Sequence, residues 1–309
     1  MEKVVYGIDI GGTTVKLGRF SEKGELLKKW EIPTRVSNQG SGILQDIAKA
    51  IKEDAALESI LGIGFGVPGP VSENTVIHAV NLGWKNLNVG KTFKEYLSGD
   101  YPVYVANDAN LASLGEQAFG AGKKYQNIVM FTLGTGVGGG IIQEGKIIEG
   151  ARGSGGEVGH IKVPGFGFAC NCGNHDCLET MASATAVKRI ANHLIKTTDT
   201  PSHLRKYEKQ STKAIFSHAE KGDILALKVV NLVSESLAYA CQILSLVTNP
   251  EAFVFGGGLA NAEDFLIKRI ENYFKGIAFP PVKNTLFLKA ELGNDAGIYG
   301  GYQMVMHHD

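Results

Sequence analysis

The 309-residue chain has no excess of charge of either sign: 31 Lys and Arg residues balance 31 Asp and Glu. Without a global basic field, nucleic acid and anionic membrane surfaces are poor partners. Any phosphate site must then be local, made of backbone N–H groups and a few side chains. Cysteine is scarce too. Of four cysteines, three fall within Cys170–Cys177, which is not the spread of a secreted disulfide scaffold. The opening MEKVVYGIDIGG shows no apolar signal core followed by a cleavage site. The longest apolar stretch, 224–247, is broken by Lys228, Asn231, Glu235 and Gln242, so it reads as a buried helix rather than a membrane span. A soluble, cytoplasmic protein is expected. There is no GxxxxGK[ST] loop. Nor does a strand–GxGxxG–helix unit occur with an acidic residue about twenty positions on, so P-loop and dinucleotide sites are disfavoured.

What the chain has in plenty is glycine, 40 residues, or roughly 13% where about 7% is ordinary. The glycines cluster at Gly11-Gly12, Gly134 to Gly140, Gly150 to Gly159, Gly256 to Gly258 and Gly297 to Gly301. Such clusters mark sharp turns or close approach of backbone to a ligand. Apolar patterning predicts strands at 4–10, 15–20 and 26–32, forming an antiparallel meander, then a helix over 42–56 and strands at 60–67 and 103–106. A helix over 109–120 follows. The order then restarts: strands at 128–133, 140–143 and 146–149, helices over 184–196 and 223–247, a short strand at 252–255, and a last helix over 296–306. Each half opens with strand, Gly/Thr turn, strand. The length suits two domains, and two mixed α/β halves imply a cleft in which ligands bind.

Asp9-x-Gly11-Gly12-Thr13-x-x-Lys16 would expose several N–H groups and a hydroxyl to an anion. Asp9 would be placed to hold Mg²⁺ through water, with Lys16 as a point charge near the phosphates. Thr132 to Gly140, with Gly134, Thr135 and Gly136 at the turn, is a second such hairpin. Two of them would form a pincer for a polyphosphate. Asn107-Asp108 ends a strand, where the residues leave two readings open: a helix N-cap, or a carboxylate acting as general base. His160-x9-Cys170-x-Cys172-x4-Cys177 offers one imidazole and three thiolates, the donor set of a four-coordinate structural zinc. Glu157, His160 and Glu179 flank that set. They could hydrogen-bond vicinal hydroxyls of a sugar, His160 using one ring nitrogen for zinc and the other for sugar. Cys241 lies among apolar helix residues and reads as core.

Taken together these motifs resemble the ROK family (repressors, open reading frames and kinases) of the actin-like, hexokinase-type ATPase superfamily. Asp9-Ile-Gly-Gly-Thr-Thr-Val-Lys16 is similar to its first phosphate loop and Leu133-Gly-Thr-Gly-Val-Gly-Gly-Gly140 to its second. Gly155-Gly-Glu157-Val-Gly-His160 and Cys170-Asn-Cys172-Gly-Asn-His-Asp-Cys177-Leu-Glu179 are similar to its sugar and zinc signatures, and Phe255-Gly256-Gly257-Gly258 to its adenosine loop. Asp176 stands where the family usually has glycine. The resemblance implies an α/β fold of two ribonuclease H-like (actin-like ATPase) domains with mixed sheets around an interdomain cleft. These would be residues 1–120 and 121–294, with a C-terminal helix over 295–309 able to rejoin the first. It implies an ATP-dependent hexose 6-kinase that uses ATP, Mg²⁺ and structural Zn²⁺ and forms a homodimer. Asp108 would be the base. Gly66, Asn81, Asn107, Asp108, Glu157, His160 and Glu179 would bind sugar, and Gly256 to Gly258 adenosine. Asn81-Leu-Gly-Trp84 is similar to the glucose-specific members, although Trp84 could simply be packing. Kinases for N-acetylmannosamine, fructose or allose share most of the other motifs, and some family members are non-enzymatic sugar sensors.

Overall fold

A computed structural model describes residues 3–54, 59–207, 209–260 and 263–307. In chain order the strands are β1 (Val4–Ile10), β2 (Thr14–Ser21), β3 (Leu26–Pro33), β4 (Ile60–Val67), β5 (Val71–Ser72), β6 (Thr75–Ala79), β7 (Trp84–Asn88), β8 (Val103–Asn107), β9 (Ile128–Leu133), β10 (Val137–Gln143), β11 (Lys146–Ile147), β12 (Ala252–Gly256) and β13 (Leu286–Lys289). The helices are α1 (Ile43–Lys52), α2 (Val89–Tyr96), α3 (Asp108–Phe119), α4 (Leu178–Ala182), α5 (Ala184–Thr197), α6 (Thr212–Glu220), α7 (Ile224–Thr248), α8 (Glu263–Ile277) and α9 (Ala296–Met306). The chain divides into two compact units. One comprises Met1–Lys124, Gly140–Gly156 and Glu291–Asp309; the other comprises Tyr125–Gly139 and Glu157–Ala290.

Two five-stranded sheets carry the architecture, in the orders β3-β2-β1-β4-β8 and β11-β10-β9-β12-β13. Strand for strand these are the same topology: an antiparallel meander on one side and two parallel strands on the other. The mixed sheets agree with the ribonuclease H-like expectation. In the first unit, β1 is buried at nearly every position, as a central strand covered on both faces must be. Its helix layer includes α9, which sits close because Gly7 and Gly64 lack side chains. A methyl at Gly7 would strike the carbonyl of Ile298, and one at Gly64 the carbonyl of Gly301. Phe20, Phe119, Tyr299 and Tyr302 then pack edge-on and tilted around the far end of α9.

The second unit has an aromatic centre. Phe131 stacks on Phe255 at 5.4 Å, and Phe253 meets Phe274 and Phe287. The long apolar helix α7 is a core helix: Val229, Val230, Val233, Leu237 and Cys241 are fully buried. Asp223 caps its first turn by accepting from the Ala226 N–H at 3.0 Å, and Asn249 ends it in the left-handed region at φ 44°.

Local differences from the sequence expectations have local causes. The helix expected over 42–56 closes at Lys52 in a turn through Glu53; residues 55 and 56 lie outside the described residues. The strand expected at 140–143 begins at Val137, because neighbouring strands supply the ladder that Val-Gly-Gly-Gly has little propensity to form alone. The small antiparallel sheet β5-β6-β7 was not expected; its strands are short and carry exposed polar residues such as His78 and Lys85.

Candidate active site

In the first unit the predicted residues gather at the carboxyl ends of parallel strands. Asp9 on β1 pairs in register with Gly66 on β4, and Gly66 pairs with Ala106 on β8, one residue before Asn107. Open α/β sheets bind ligands at such ends. The turn after β1 is closed by the Gly11 N–H donating to the Thr14 carbonyl at 3.0 Å, and Thr34 staples it from beyond β3. The Thr34 hydroxyl donates to the Gly11 carbonyl at 2.7 Å and its N–H to that of Thr13 at 2.8 Å. Gly12 and Thr13 are left exposed at the tip. Asn81 lies beside this loop, its Cβ 3.8 Å from where a Cβ on Gly12 would be. Lys16 donates to the Asn294 carbonyl at 2.8 Å.

Burial raises the Asp9 carboxyl above the ordinary aspartate range, and Lys16 across the ladder opposes it. Gly297 packs directly on this carboxyl, where a side chain would collide. A carboxylate held in this way gains from a cation nearby, which fits a water-bridged Mg²⁺.

Asn107 and Asp108 take successive positions at the start of α3. Asn107 is the N-cap of α3: its Oδ1 accepts from the N–H groups of Ala109 at 2.9 Å and Asn110 at 3.1 Å. Its amide donates to the Gly69 carbonyl at 3.1 Å, so one further N–H would serve a ligand. Asp108 is the first helical residue, half-buried, with Oδ1 accepting from the Ala109 N–H at 2.8 Å. Gly66 packs beneath it; a Cβ there would lie 3.5 Å from the Asp108 Cα. Asp108 stands in the first turn of α3, the end of the helix dipole that favours negative charge.

Trp84 is packing: it is buried, and its indole N–H donates to the Gly40 carbonyl at 3.2 Å. The 35–42 segment folds against 81–84. Asn38 and Gln39 take left-handed conformations there, and Arg35 pairs with Asp46.

In the second unit, a ring nitrogen of His160 and the Sγ atoms of Cys170, Cys172 and Cys177 all lie within 4.8 Å of one another. Cys172 and Cys177 are 3.6 Å apart, and Cys170 and His160 Nδ1 are 3.8 Å apart. A tetrahedron with Zn–S bonds of about 2.3 Å has edges of about 3.8 Å, so the donor set has the spacing of a zinc site. Two antiparallel bridges, Lys162 with Cys177 and Ala169 with His175, fold the knuckle. Asp176 takes φ 54° in place of the family's glycine and accepts from the Gly167 N–H at 2.8 Å, so its side chain offsets the cost of its backbone. The Cys172 thiol is drawn down to about 7, first by the Asn174 backbone N–H, while burial pushes Cys177 up to about 12.

Glu157 and His160 are exposed on the short helical turn before the knuckle. Because Nδ1 faces Cys170, Nε2 is the nitrogen left for a ligand. Glu179 is the second residue of α4, just past Cys177. One carboxylate oxygen is 4.0 Å from Cys170 Sγ, and the other accepts from the Val137 N–H at 3.2 Å. The second Gly/Thr turn is closed by the Gly134 N–H on the Gly136 carbonyl at 3.0 Å, and Thr135 is exposed at its tip. Beside it, Gly257 at φ 85° lies against the backbone of Leu133, a fit only glycine allows, and the Leu259 N–H donates to the Leu133 carbonyl at 3.0 Å. Gly258 has open space around it.

The structure thus brings together Asp9, Gly11, Gly12, Thr13, Gly66, Asn81, Asn107 and Asp108 in one unit. Glu157, His160, Glu179, the thiols, Gly134 to Gly136 and Gly256 to Gly258 lie in the other. Sequence reasoning missed the staples Thr34 and Thr185; the Thr185 hydroxyl donates to the Thr135 carbonyl at 3.0 Å. Neither lies in a motif, and each acts on a loop at least twenty residues away.

Comparison with known proteins adds to this geometry. The ROK family model matches residues 5–308. A glucokinase of Halalkalibacterium halodurans is 40% identical over 315 residues, covering 98% of this chain and 95% of that protein. A ROK family glucokinase of Streptomyces griseus, solved in complex with glucose and AMPPNP, is 30% identical with a TM-score of 0.75, covering 96% of this chain and 97% of that one. A ROK hexokinase of Thermus thermophilus is 26% identical with a TM-score of 0.82, covering 99% and 98%.

Proposed function

Because the chain belongs to the ROK family, we propose that it is an ATP-dependent glucokinase, transferring the γ-phosphoryl group of ATP to the 6-hydroxyl of glucose. The observation that carries the chemistry is Asp108: a carboxylate on the first turn of α3, packed over Gly66 and capped alongside by Asn107. The glucose assignment rests on similarity to glucokinases over nearly the whole chain.

Asp108 orients the 6-hydroxyl and accepts its proton as the oxygen attacks the γ-phosphorus; the bond to the bridging oxygen breaks, and ADP leaves. Phosphoryl transfer passes through a loose transition state, so positioning and charge stabilisation supply most of the rate. The exposed tips at Gly12-Thr13 and Gly134 to Gly136 offer N–H groups and hydroxyls to the phosphates. Gly256 to Gly258 form the adenosine side. Mg²⁺, held near Asp9, would neutralise charge on the phosphates. Asn81, Asn107, Glu157, His160 Nε2 and Glu179 would take the sugar hydroxyls, with Gly66 lining the floor. His160, Cys170, Cys172 and Cys177 would hold a structural Zn²⁺ that fixes the His160 ring. The protein is expected to work in the cytoplasm as a homodimer, the former in keeping with its four reduced cysteines.

The test is a coupled ADP-release assay over glucose, mannose, fructose, allose, N-acetylglucosamine and N-acetylmannosamine, run with the parent and Asp108→Asn. Glucose-dependent turnover yielding glucose 6-phosphate is expected, falling at least 10²-fold in kcat in the variant. Turnover confined to another sugar would move the specificity, and near-parental kcat in Asp108→Asn would remove that residue from its role.

A further inference from the structure

The stretch from α4 to the start of α5 touches the second Gly/Thr turn at three points. Glu179 accepts from the Val137 N–H at 3.2 Å. The Ala184 N–H donates to the Gly134 carbonyl at 2.8 Å, and the Thr185 hydroxyl to the Thr135 carbonyl at 3.0 Å. Gly136 has no side chain because Glu179 occupies the space; a methyl there would collide with Oε2. The segment is itself anchored at the cysteine cluster. Cys177 is the N-cap of α4, Glu179 is the second residue of that helix, and the Thr180 hydroxyl turns back to the Cys177 carbonyl at 2.8 Å. Arg189 braces the other side, donating to the Thr180 carbonyl at 3.1 Å and stacking over Phe168 of the knuckle with 4.4 Å between guanidinium carbon and ring centre.

We infer that Glu179 is a positioning residue for the nucleotide, and that the knuckle shapes the second phosphate loop through it as well as the sugar site. This inference rests on the phosphate-binding role given to that loop under the proposed function. The chain of contacts is short. A metal on Cys177 would fix the start of α4, which carries the Glu179 carboxylate that accepts from the Val137 N–H. The turn at Gly134 to Gly136 thereby keeps Thr135 at its tip. Burying a backbone N–H against a carboxylate is worth more than against a neutral acceptor, but the geometry needs only an acceptor oxygen at that place. The sugar role of Glu179, by contrast, calls for its negative charge. The two roles therefore separate by substitution.

Glu179→Ala removes the acceptor, whereas Glu179→Gln keeps an amide oxygen for Val137 and loses the charge. Binding of AMPPNP with Mg²⁺, measured calorimetrically without sugar on zinc-loaded protein, is expected to weaken about tenfold in Glu179→Ala, the loss of roughly one hydrogen bond. In Glu179→Gln it should stay within about twofold of the parent while the KM for glucose rises. Zinc content per chain should be unchanged in both. Gly136→Ala strains the same contact from the loop side and should also weaken nucleotide binding with zinc retained; it decides the matter if Glu179→Ala misfolds or loses metal. Parental nucleotide affinity in Glu179→Ala, or equal loss in the Gln and Ala variants, would overturn the inference. If the parent binds AMPPNP but phosphorylates no sugar, the proposed function falls while this test still reads the loop.

Discussion

In the first Gly/Thr hairpin the turn is stapled by a threonine just beyond the adjoining strand of its own sheet: Thr34, past the end of β3, reaches Gly11 and Thr13. In the second, none of the staples comes from the meander. Glu179, Ala184 and Thr185 do that work from a segment carried on the knuckle. The two sheets share one strand order, and the two turns share a Gly/Thr grammar, yet their support differs. The difference shows where a metal is useful. The first loop follows β1, a central strand buried at nearly every position, and its staple Thr34 directly follows a strand of the same sheet. The second is braced by α4, a helix of five residues too short to hold its own shape. A metal held by the three sulfurs and the imidazole would supply that rigidity.

Emptying the proposed zinc site should break the comparison most. Chelation or Cys172→Ser should lower amide-exchange protection at Val137 and Ala184 by an order of magnitude or more, while Gly11 and Thr34 keep theirs. Nucleotide binding should fall with the former pair. Equal loss at both hairpins would mean that the knuckle supports the whole chain and not one loop.

Next in size is a matched glycine pair. Gly136→Ala drives a methyl into Glu179 and should cost about 1–3 kcal/mol in denaturant unfolding. Gly12→Ala meets nothing closer than the Asn81 Cβ at 3.8 Å and should cost under about 0.5 kcal/mol. Similar costs would show that the second loop can move off its brace.

The smallest effect sharpens the first side alone. Asp54 ties β1, β2 and β3 at the end remote from the turn. It accepts from the Tyr6 hydroxyl at 2.9 Å, Arg19 at 3.0 Å and Lys28 at 2.5 Å. Burial works against its charge, but these donors win and hold its carboxyl below the ordinary aspartate range. The stabilisation is therefore present above the unfolded value, near pH 4, and lost as pH falls through the depressed folded value. Asp54→Asn should cost about 1 kcal/mol at pH 7. Its stability gap to the parent should close below about pH 4. A gap independent of pH would make the contact steric.

Much of this was legible in the sequence, and the reasons are local. Central strands such as 4–10 and 60–67, buried on both faces, write themselves as continuous apolar runs. The helix over 224–248 announces itself by length and composition, and the Cys-x-Cys-x4-Cys spacing carries its geometry with it. The small sheet at 71–88, α6 and β13 were illegible, because short elements with exposed polar faces owe their structure to neighbours rather than to propensity. Asn107 and Asp108 show the boundary well. Residue types alone left cap and base open; the folded chain makes Asn107 the N-cap of α3 and Asp108 its first helical residue. By itself the sequence determined which groups are available: two Gly/Thr turns, one carboxylate at a strand end and one cluster of three cysteines and a histidine, since each depends on residues near one another in the chain. Only the tertiary structure decided what holds each turn in place. Thr34 acts over 23 residues and Glu179 over 42, and contacts at that separation follow from packing, to which local sequence pattern is blind.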